Sequence, residues 1–413
     1  MKPIFSVEQL ELKGKVVFLR CDFNVPLSGK VIDDDTRIRE ALPTIQYCAE
    51  NAKKVVLCSH LGRPDGKRDK KYSLEPVATR LAELLGQDVL LSDELVGEGV
   101  HQLVRHGREA KVVLLENIRF DAREEENDPE FSRELASLAD IYVSDAFGAA
   151  HRKHASTYGM VEFMDEAAAG FLIKKELTFL DKLIKNPQHP YVLIAGGAKV
   201  TDKLKAVDNL LNYVDQVIVG GAMAYAFLAA QKIGIGKSKC EQEGIPAAEQ
   251  ILKKAKERKV EILLPIDHVV AYPAKDPELK NSSVVDSVEI PTEAAALDIG
   301  PKTREKFAAA ARQAKTIFWN GPQGFFERQE YFGGTLSLAR AVVESSAVKV
   351  AGGGDTLSAI AQTGVADRFD LLSTGGGASL KYLEGRGLPG IEVLRGKSKV
   401  QKRVLNTDES DLL

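Results

Sequence analysis

The sequence predicts an α/β protein with two mostly parallel β-sheets. Short apolar runs alternate with amphipathic helical patterns along most of the 413 residues, as they do in stacked β-α units. The runs carry apolar residues on both faces, which is typical of parallel strands covered by helices on both sides. A chain of this length also fits two domains that each bury a core.

The predicted strands fall into two sets, and each set predicts one sheet. The first set comprises residues 16–25, 54–59, 112–116 and 141–144. The second set comprises residues 191–195, 216–219, 261–264, 316–319, 348–351 and 370–373. Open α/β sheets bind ligands outside the carboxyl ends of their strands, so a site is expected in the loops that follow these runs.

A helix between the two sets predicts the domain boundary. Apolar residues at spacings of four, three and four form one stripe of a helix over about 166–185. These residues are Ile173, Leu177, Leu180 and Ile184. Pro187 and Pro190 then end the helix, because proline lacks an amide donor and restricts the residue before it. We predict an N-terminal domain of residues 1–172, a hinge helix and linker of 173–190, a C-terminal domain of 191–390, and a tail of 391–413 that packs back on the N-terminal domain.

Composition narrows the class of protein and its partners. The formal net charge is −3, which gives no global attraction to nucleic acid or acidic lipid. The four cysteines show no metal-ligand spacing, which favours reduced thiols in a cytoplasmic protein. No apolar run approaches the ~18 residues of a membrane span, so no membrane partner is expected.

Glycine clusters follow the strands of the second set, and 23 of the 34 glycines lie beyond residue 190. The clusters are Gly196-Gly197, Gly220-Gly221, Gly352-Gly353-Gly354 and Gly375-Gly376-Gly377. Glycines at strand ends let backbone amides turn toward a phosphate, and the next helix adds its N-terminal dipole. Any single cluster is equally a tight turn, but four on one sheet predict a phosphate cradle.

Charged residues lie beside these glycines. Asp355 and Thr356 begin a predicted helix, where the carboxylate either caps the helix or, beside a nucleotide, holds Mg²⁺. Lys199 and Lys203 are spaced i, i+4 and share one helix face, so both could reach the phosphates or remain solvated. Two further motifs fail: neither Gly-Lys-Ser tripeptide completes a Walker A loop, and the sole G-x-G-x-x-G run contains a proline and follows no strand.

The first half instead places arginines and histidines just past its strands. They are Arg20, Arg37, His60, Arg63, Arg119, Arg152 and His154. A guanidinium fork binds carboxylate or phosphate in a bidentate way, so the group suits a small polyanion, although an arginine taken alone is more often a surface ion pair. His151 and His154 lack supporting carboxylates, which favours anion contact or a surface position over metal.

Nine segments along the chain form a recognisable set of motifs. They are Arg20-Cys21-Asp22-Phe23-Asn24-Val25-Pro26, Ser59-His60-Leu61-Gly62-Arg63-Pro64, Leu115-Glu116-Asn117-Ile118-Arg119-Phe120, Asp145-Ala146-Phe147-Gly148, His151-Arg152, Gly196-Gly197-Ala198-Lys199-Val200, Trp319-Asn320-Gly321-Pro322, Gly352-Gly353-Gly354-Asp355-Thr356 and Ser373-Thr374-Gly375-Gly376-Gly377. In this order they resemble the phosphoglycerate kinase family over nearly the whole chain. The resemblance implies two doubly wound, Rossmann-like domains joined by the hinge helix. It also implies a monomer that closes on its substrates, 3-phosphoglycerate or 1,3-bisphosphoglycerate and ADP or ATP with Mg²⁺.

The resemblance also implies roles for individual residues. The sugar acid would bind Asp22, Asn24, Arg37, His60, Leu61, Gly62, Arg63, Arg119 and Arg152. The nucleotide would bind Gly197, Lys199, Lys203, Gly221, Asn320, Glu327, Gly353, Gly354, Asp355 and Thr356, with Asp355 on the metal. Arg37, Lys199 and Lys203 would act on the transferred phosphoryl group, with Gly375 and Gly376 at a helix N-terminus facing the transition state. Ala222 and His268 depart from the family pattern near the presumed nucleotide side.

Two alternatives belong to other classes. A nicotinamide-dependent dehydrogenase would need the strand-glycine-helix fingerprint that is missing here. A non-catalytic, hinge-closing protein that binds anions or nucleotides would use the same arginines and glycine loops. The pairing of lysines with a glycine-flanked Asp-Thr favours the kinase over such a binding protein.

Overall fold

The computed structural model describes residues 2–107, 110–197 and 201–398. The chain forms two compact units. Unit 1 comprises the residues up to Leu177 together with the stretch that begins at Gly387, and unit 2 comprises Thr178–Arg386. The division falls inside the linker predicted at 173–190. No helix in the described ranges is long and apolar enough to cross a membrane.

The described residues of unit 1 form eight strands and eight α-helices, of which α7 continues into unit 2. The strands are β1 Val16–Arg20, β2 Leu27–Ser28, β3 Val31–Ile32, β4 Lys54–Cys58, β5 Val89–Ser92, β6 Val112–Leu115, β7 Ile141–Ser144 and β8 Ala167–Ala169. The first helices are α1 Thr36–Asn51, α2 Glu75–Leu85, α3 Glu98–Arg105, α4 Arg123–Glu126, α5 Pro129–Ser137, α6 Met160–Glu162 and α7 Phe171–Ile184. The eighth helix of unit 1, Pro389–Glu392, follows unit 2 in the chain.

Six strands of unit 1 form one parallel sheet in the order β5-β6-β4-β1-β7-β8. In β1, Arg20 is in register with Cys58 of β4 on one side and Ser144 of β7 on the other. Strands β1, β4 and β7 are buried at every position, as expected for a sheet with helices on both faces. The strand order changes direction at β1, so the loops after β1 and β7 border a switch-point crevice.

The end of the described chain completes unit 1. The backbone N–H of Ala167 in β8 donates to the carbonyl of Lys397 at 2.8 Å. The N–H of Gly390 donates to the carbonyl of Ala150 at 2.9 Å. Residues 387–398 therefore supply hydrogen-bond partners to segments that lie more than 200 positions earlier.

Within 178–197 and 201–386, unit 2 forms nine strands and seven further α-helices. The strands are β9 Tyr191–Ala195, β10 Gln216–Val219, β11 Glu261–Leu263, β12 His268–Ala271, β13 Ser283–Val285, β14 Ala295–Ile299, β15 Thr316–Asn320, β16 Val348–Gly352 and β17 Leu371–Ser373. The helices are α8 Thr201–Leu210, α9 Gly221–Ala230, α10 Ile245–Arg258, α11 Pro301–Gln313, α12 Gly333–Glu344, α13 Gly354–Gln362 and α14 Gly377–Leu383, so that Pro389–Glu392 of unit 1 is α15.

The large sheet of unit 2 is parallel, with the order β11-β10-β9-β15-β16-β17. The direction in which successive strands are added changes at β9: β10 and β11 lie on one side of it, and β15, β16 and β17 lie on the other. This is the doubly wound order whose crevice lies between the loops after β9 and β15. In that pair Asn320 is in register with Ala195.

The structure corrects three features of the predicted elements. The strand predicted at 16–25 ends at Arg20. The helix predicted at 166–185 begins only at Phe171, because Ala167–Ala169 pairs with β7 as the edge strand β8. A small antiparallel sheet, β13-β12-β14, is an addition that the apolar runs did not predict.

Candidate active site

The loop after β1 places a carboxylate at the switch point of unit 1. Arg37 Nη1 donates to Asp22 Oδ2 at 2.7 Å, and the Asn24 N–H donates to Asp22 Oδ1 at 3.2 Å. Burial alone would raise the pKa of Asp22, but the charges of His60 when it is protonated, of Arg37 and of Arg20 lower it to about 2. Asp22 is therefore ionised at neutral pH and holds the Arg37 side chain, which is 33% exposed at the start of α1.

The loop after β4 is fixed against the loop after β1. The N–H of Gly62 donates to Asn24 Oδ1 at 2.8 Å, and the N–H of Leu61 donates to Asn117 Oδ1 at 3.2 Å. The carbonyl of Gly62 accepts from Arg119 Nη1 at 2.8 Å. These bonds hold Asn24, Gly62 and Arg119 as one connected group.

Arginines give this end of the sheet a positive potential. Arg119 is buried and pairs with Glu125 Oε1 at 3.2 Å. Burial lowers the pKa of Arg119, Glu125 opposes that change, and Arg152 and Arg20 lower it further. Burial and then Arg119, Arg20 and Arg152 lower the pKa of His154 to about 3. Several arginines at one end of the sheet fit a small polyanion, although Asp22 and Glu125 each pair with one of them.

Most of the predicted residues of unit 1 lie together in this group. Those joined by contacts are Asp22, Asn24, Arg37, His60, Leu61, Gly62 and Arg119. Arg152 is close enough to affect the pKa values of Arg119 and His154. Arg63 is exposed, and no hydrogen bond or ion pair described in the structure ties it to the others.

In unit 2, two glycine loops pack against the loop after β15. The N–H of Gly197 donates to the carbonyl of Pro322 at 2.9 Å, and the N–H of Gly221 donates to that of Gln323 at 3.0 Å. Gly221 has φ +59°, and a Cβ there would lie 2.6 Å from the backbone nitrogen of Gly197. A side chain at position 221 would therefore force the two loops apart.

These loops border a cleft of about 330 Å³, a volume in the range of small-molecule sites. Four predicted nucleotide residues line it: Gly197, Gly221, Glu327 and Asp355. The rest of the lining is Ala222, Tyr225, Lys239, Ala296, Leu297, Pro322, Gly324, Phe325 and Phe326. Apolar surface beside glycine loops and charged groups suits a heterocyclic base joined to phosphates.

Asn320, the last residue of β15, ties this loop to its neighbour after β16. Its Nδ2 donates to the carbonyl of Gly352 at 2.6 Å. The N–H of Gly321 donates to Thr356 Oγ1 at 2.7 Å. Asn320 Oδ1 is buried and accepts no hydrogen bond within the described part of the chain. These bonds hold the start of α13 against the loop after β15, and Asn320 Oδ1 is left as a buried acceptor.

Asp355 lies in the first turn of α13, after Gly353 and Gly354, and its side chain is exposed. The N-cap position of α13 is occupied by Gly353, and Asp355 is the second helical residue, so Asp355 is not the N-cap residue. No three His, Cys, Asp or Glu side chains cluster as a metal site in the described ranges. A single accessible carboxylate beside glycine loops fits Mg²⁺, which takes one or two carboxylates together with phosphate oxygens.

Of the unit 2 residues predicted to act in phosphoryl transfer, the structure places one beside a glycine loop and two away from the cleft. Lys203 Nζ donates to the carbonyl of Gly196 at 2.6 Å, beside the glycine loop after β9. Lys199 lies outside the described residues. Gly375 and Gly376 lie just before α14, and neither lines the cleft.

Comparisons with known proteins agree with this geometry. The family model described as phosphoglycerate kinase matches residues 7–386. A phosphoglycerate kinase of Anaeromyxobacter sp. (strain Fw109-5) is 51% identical over 394 residues, 95% of this chain and 99% of the relative. The chain belongs to the phosphoglycerate kinase family. Its predicted two-domain fold and its kinase function with a carboxyl acceptor are thereby confirmed at the level of the family, and neither alternative class accounts for a match of this extent.

Solved structures of the family give the same result. The phosphoglycerate kinase of Coxiella burnetii superposes with a TM-score of 0.85 at 41% identity, over 96% of this chain and 100% of that one. The enzyme of Pyrococcus horikoshii OT3 superposes with a TM-score of 0.83 at 32% identity, over 95% and 99%.

Several residues of the two sites were not predicted. Pro322 and Gln323 supply the carbonyls that hold the glycine loops, and only the motif around Asn320 pointed toward them. Tyr225 and Lys239 line the cleft without any sequence signal. Of the two departures from the family pattern, Ala222 lines the cleft, whereas His268 is buried with Nε2 3.1 Å from the carbonyl of Val288.

Proposed function

We propose that this chain catalyses reversible phosphoryl transfer between 1,3-bisphosphoglycerate and ADP, giving 3-phosphoglycerate and ATP. The observation that carries the proposal is the cleft of unit 2, in which loops after four parallel strands present glycines, Asp355 and Glu327 around one space. The arginine group of unit 1 supports it, because it offers a second site with the charge that a phosphorylated acid requires.

The sugar acid binds at the arginine group. Arg37 and Arg119 are both anchored, by Asp22 and by the carbonyl of Gly62, so their remaining donors are oriented before the ligand arrives. Such preorganisation lowers the ordering cost of binding. Arg152 adds charge to the same site, and we assign Arg63 to it from the family resemblance.

The nucleotide binds in the cleft of unit 2. Its phosphates lie beside Gly197, Gly221 and the start of α13, where the glycines leave room for them and the helix dipole favours negative charge. Its base lies on the apolar wall near Tyr225, with Glu327 at the ribose. Asp355 holds Mg²⁺, which when bound neutralises charge on the phosphate oxygens.

The chemistry needs no general base. In the direction of ATP consumption the acceptor is a carboxylate, which is already ionised near pH 7. In-line transfer then depends on positioning and on cations beside the transferred group, roles we assign to Arg37, Lys199 and Lys203, with the α14 N-terminus after Gly375 and Gly376. Hinge closure about the 173–190 region would bring the reacting atoms together and exclude water. The monomeric state and the cytoplasmic location stay predictions from the sequence.

Acyl-phosphate trapping tests the proposal. Purified protein is incubated with Mg-ATP and 3-phosphoglycerate, and hydroxylamine converts the product to a hydroxamate. We expect hydroxamate from the wild type, almost none from Asp355→Ala, and wild-type amounts from Asp367→Ala, which removes an exposed carboxylate elsewhere in unit 2. A folded wild type that binds 3-phosphoglycerate but forms no hydroxamate would overturn the proposal in favour of a non-catalytic anion-binding protein.

A further inference from the structure

His60 has a second contact that determines which ring nitrogen carries its proton. The side chain is 6% exposed, and Arg20 Nη2 lies 3.4 Å from His60 Nδ1 in hydrogen-bond geometry. A guanidinium can only donate, so His60 Nδ1 must accept. The ring proton is therefore on Nε2, the nitrogen that Arg20 does not contact.

The surroundings of His60 also favour its neutral form. Four charged groups face it: Asp22, Arg20, Arg119 and Arg152. Burial holds the pKa of His60 well below its usual range, Asp22 opposes this effect, and the three arginines add to it. The closest Asp22 oxygen is 4.0 Å from His60 Nδ1, which is too far for a hydrogen bond.

A buried chain of hydrogen bonds holds Arg20 against His60. Arg20, at 1% exposure, donates from Nε to Ser156 Oγ at 2.8 Å. Ser156 in turn donates from Oγ to Glu124 Oε1 at 2.6 Å and from its backbone N–H to Glu124 Oε2 at 2.8 Å. Ser156 lies in the π-helical turn Ala155–Gly159, and both it and Glu124 are fully buried.

The chain is a charge-compensated unit. A buried guanidinium without a counter-charge is costly, and Glu124 is a fully buried carboxylate linked to Arg20 through the Ser156 hydroxyl. Burial raises the pKa of Glu124, and Arg20 and the two Ser156 hydrogen bonds oppose that increase. Both Glu124 oxygens are used by Ser156, so the carboxylate has a fixed orientation. Arg20 is thereby restricted to the position in which Nη2 faces His60.

We propose that Glu124 and Ser156 are positioning residues, which hold Arg20 against His60 Nδ1 so that His60 presents a neutral Nε2–H donor to an anionic oxygen of the bound acid. The inference rests on the proposed function for the identity of that acid. In this arrangement the positive charge of the site comes from its arginines, and His60 contributes a directional hydrogen bond from Nε2. Binding of the acid then does not require protonation of His60.

Nitrogen-15 NMR of the full-length protein labelled at histidine tests the tautomer without turnover. His60→Gln identifies the His60 signals by their loss. At pH 7 and at pH 6 we expect an unprotonated Nδ1 and a protonated Nε2. A ring protonated on both nitrogens, or one with its proton on Nδ1, would overturn the inference even if hydroxamate forms. Failure of hydroxamate formation with the expected spectrum would instead overturn only the proposed function.

Ser156→Ala tests the positioning role. Without the Ser156 hydroxyl, Arg20 loses its link to Glu124, and the His60 signals should move toward a mixture of tautomers. The KM for 3-phosphoglycerate should rise about tenfold, as loss of a charge-assisted hydrogen bond predicts, while kcat and the KM for ATP stay within about twofold. Glu124→Gln should give the same pattern.

Ser132→Ala is the matched control, because Ser132 is equally buried and its hydroxyl makes no hydrogen bond in the described structure. It should leave the His60 spectrum and the KM unchanged. An unaltered His60 spectrum in Ser156→Ala would contradict the positioning role, as would equal changes in Ser132→Ala.

Discussion

Asp145 at the end of β7 provides a quantitative test of the electrostatics of unit 1. Its carboxyl group is fully buried, and Oδ1 accepts the N–H of Ile173 in the first turn of α7 at 3.2 Å. Oδ2 is buried and has no hydrogen-bond partner in the described residues. Burial raises the pKa of Asp145 to about 7, although hydrogen bonds from Thr44 and from α7 oppose the increase.

The sign and size of the effect follow from this pKa. An unfolded aspartate titrates near pH 4, so folding raises the pKa by about three units, at about 1.4 kcal/mol each. The stability from protonated Asp145 is complete below about pH 4 and is lost as the pH rises through about 7. The side chain of the Asp145→Asn variant stays neutral throughout. The free energy of unfolding of the wild type should therefore fall by about 4 kcal/mol relative to that of the variant between pH 4 and pH 8.

Urea unfolding followed by circular dichroism at pH 4, 6 and 8 measures this difference. Circular dichroism is needed because the single tryptophan, Trp319, lies in unit 2 and does not report on unit 1. Asp93→Asn, at an exposed aspartate, should follow the wild type at each pH. A constant difference between the wild type and Asp145→Asn across this range would refute the reasoning.

Two further predictions concern the nucleotide side. Lys203→Ala should lower kcat by at least about tenfold, because it removes a positive charge from beside the glycine loop after β9. Lys205→Ala, on the exposed face of the same helix, should leave kcat unchanged. A kcat of Lys203→Ala within about threefold of the wild type would exclude Lys203 from the transition state. Gly221→Ala should raise the KM for ATP by about tenfold or more because its Cβ meets the backbone of Gly197. Gly364 has a similar positive φ, but an added Cβ would meet open space, so Gly364→Ala should reduce stability without changing the KM for ATP. An equal KM for ATP in both variants would rule out the steric argument.

The parallel strands were predictable because burial on both faces leaves a continuous apolar run. The alanines at 167–169 were not, since alanine favours a helix, and pairing with β7 decides their conformation instead. Strand β5 was also missed: it is a half-buried edge strand whose apolar run, Val89-Leu90-Leu91, is only three residues long. Local sequence does not encode which edge a short segment will join.

The site was predictable where its residues belong to motifs and unpredictable where they act through others. Asp22, His60 and Asp355 follow strands and carry recognisable chemistry. Glu124 lies in a run of three glutamates that has the composition of a solvated surface, yet it is fully buried while its neighbour Glu125 pairs with Arg119. Only the packing of α4 against the Ala155–Gly159 turn distinguishes the two.

The closing of unit 1 by residues 387–398 bears on how the protein is made. Those residues leave the ribosome after the roughly 200 residues of unit 2, a delay of about 10–40 s at typical rates of synthesis. Until then Ala167 at the outer strand lacks its Lys397 partner, and an open strand edge is a template for pairing with other chains. Unit 1 therefore cannot complete its fold until residues 387–398 have been synthesised. Until then we expect chaperones to bind the first half of the nascent chain.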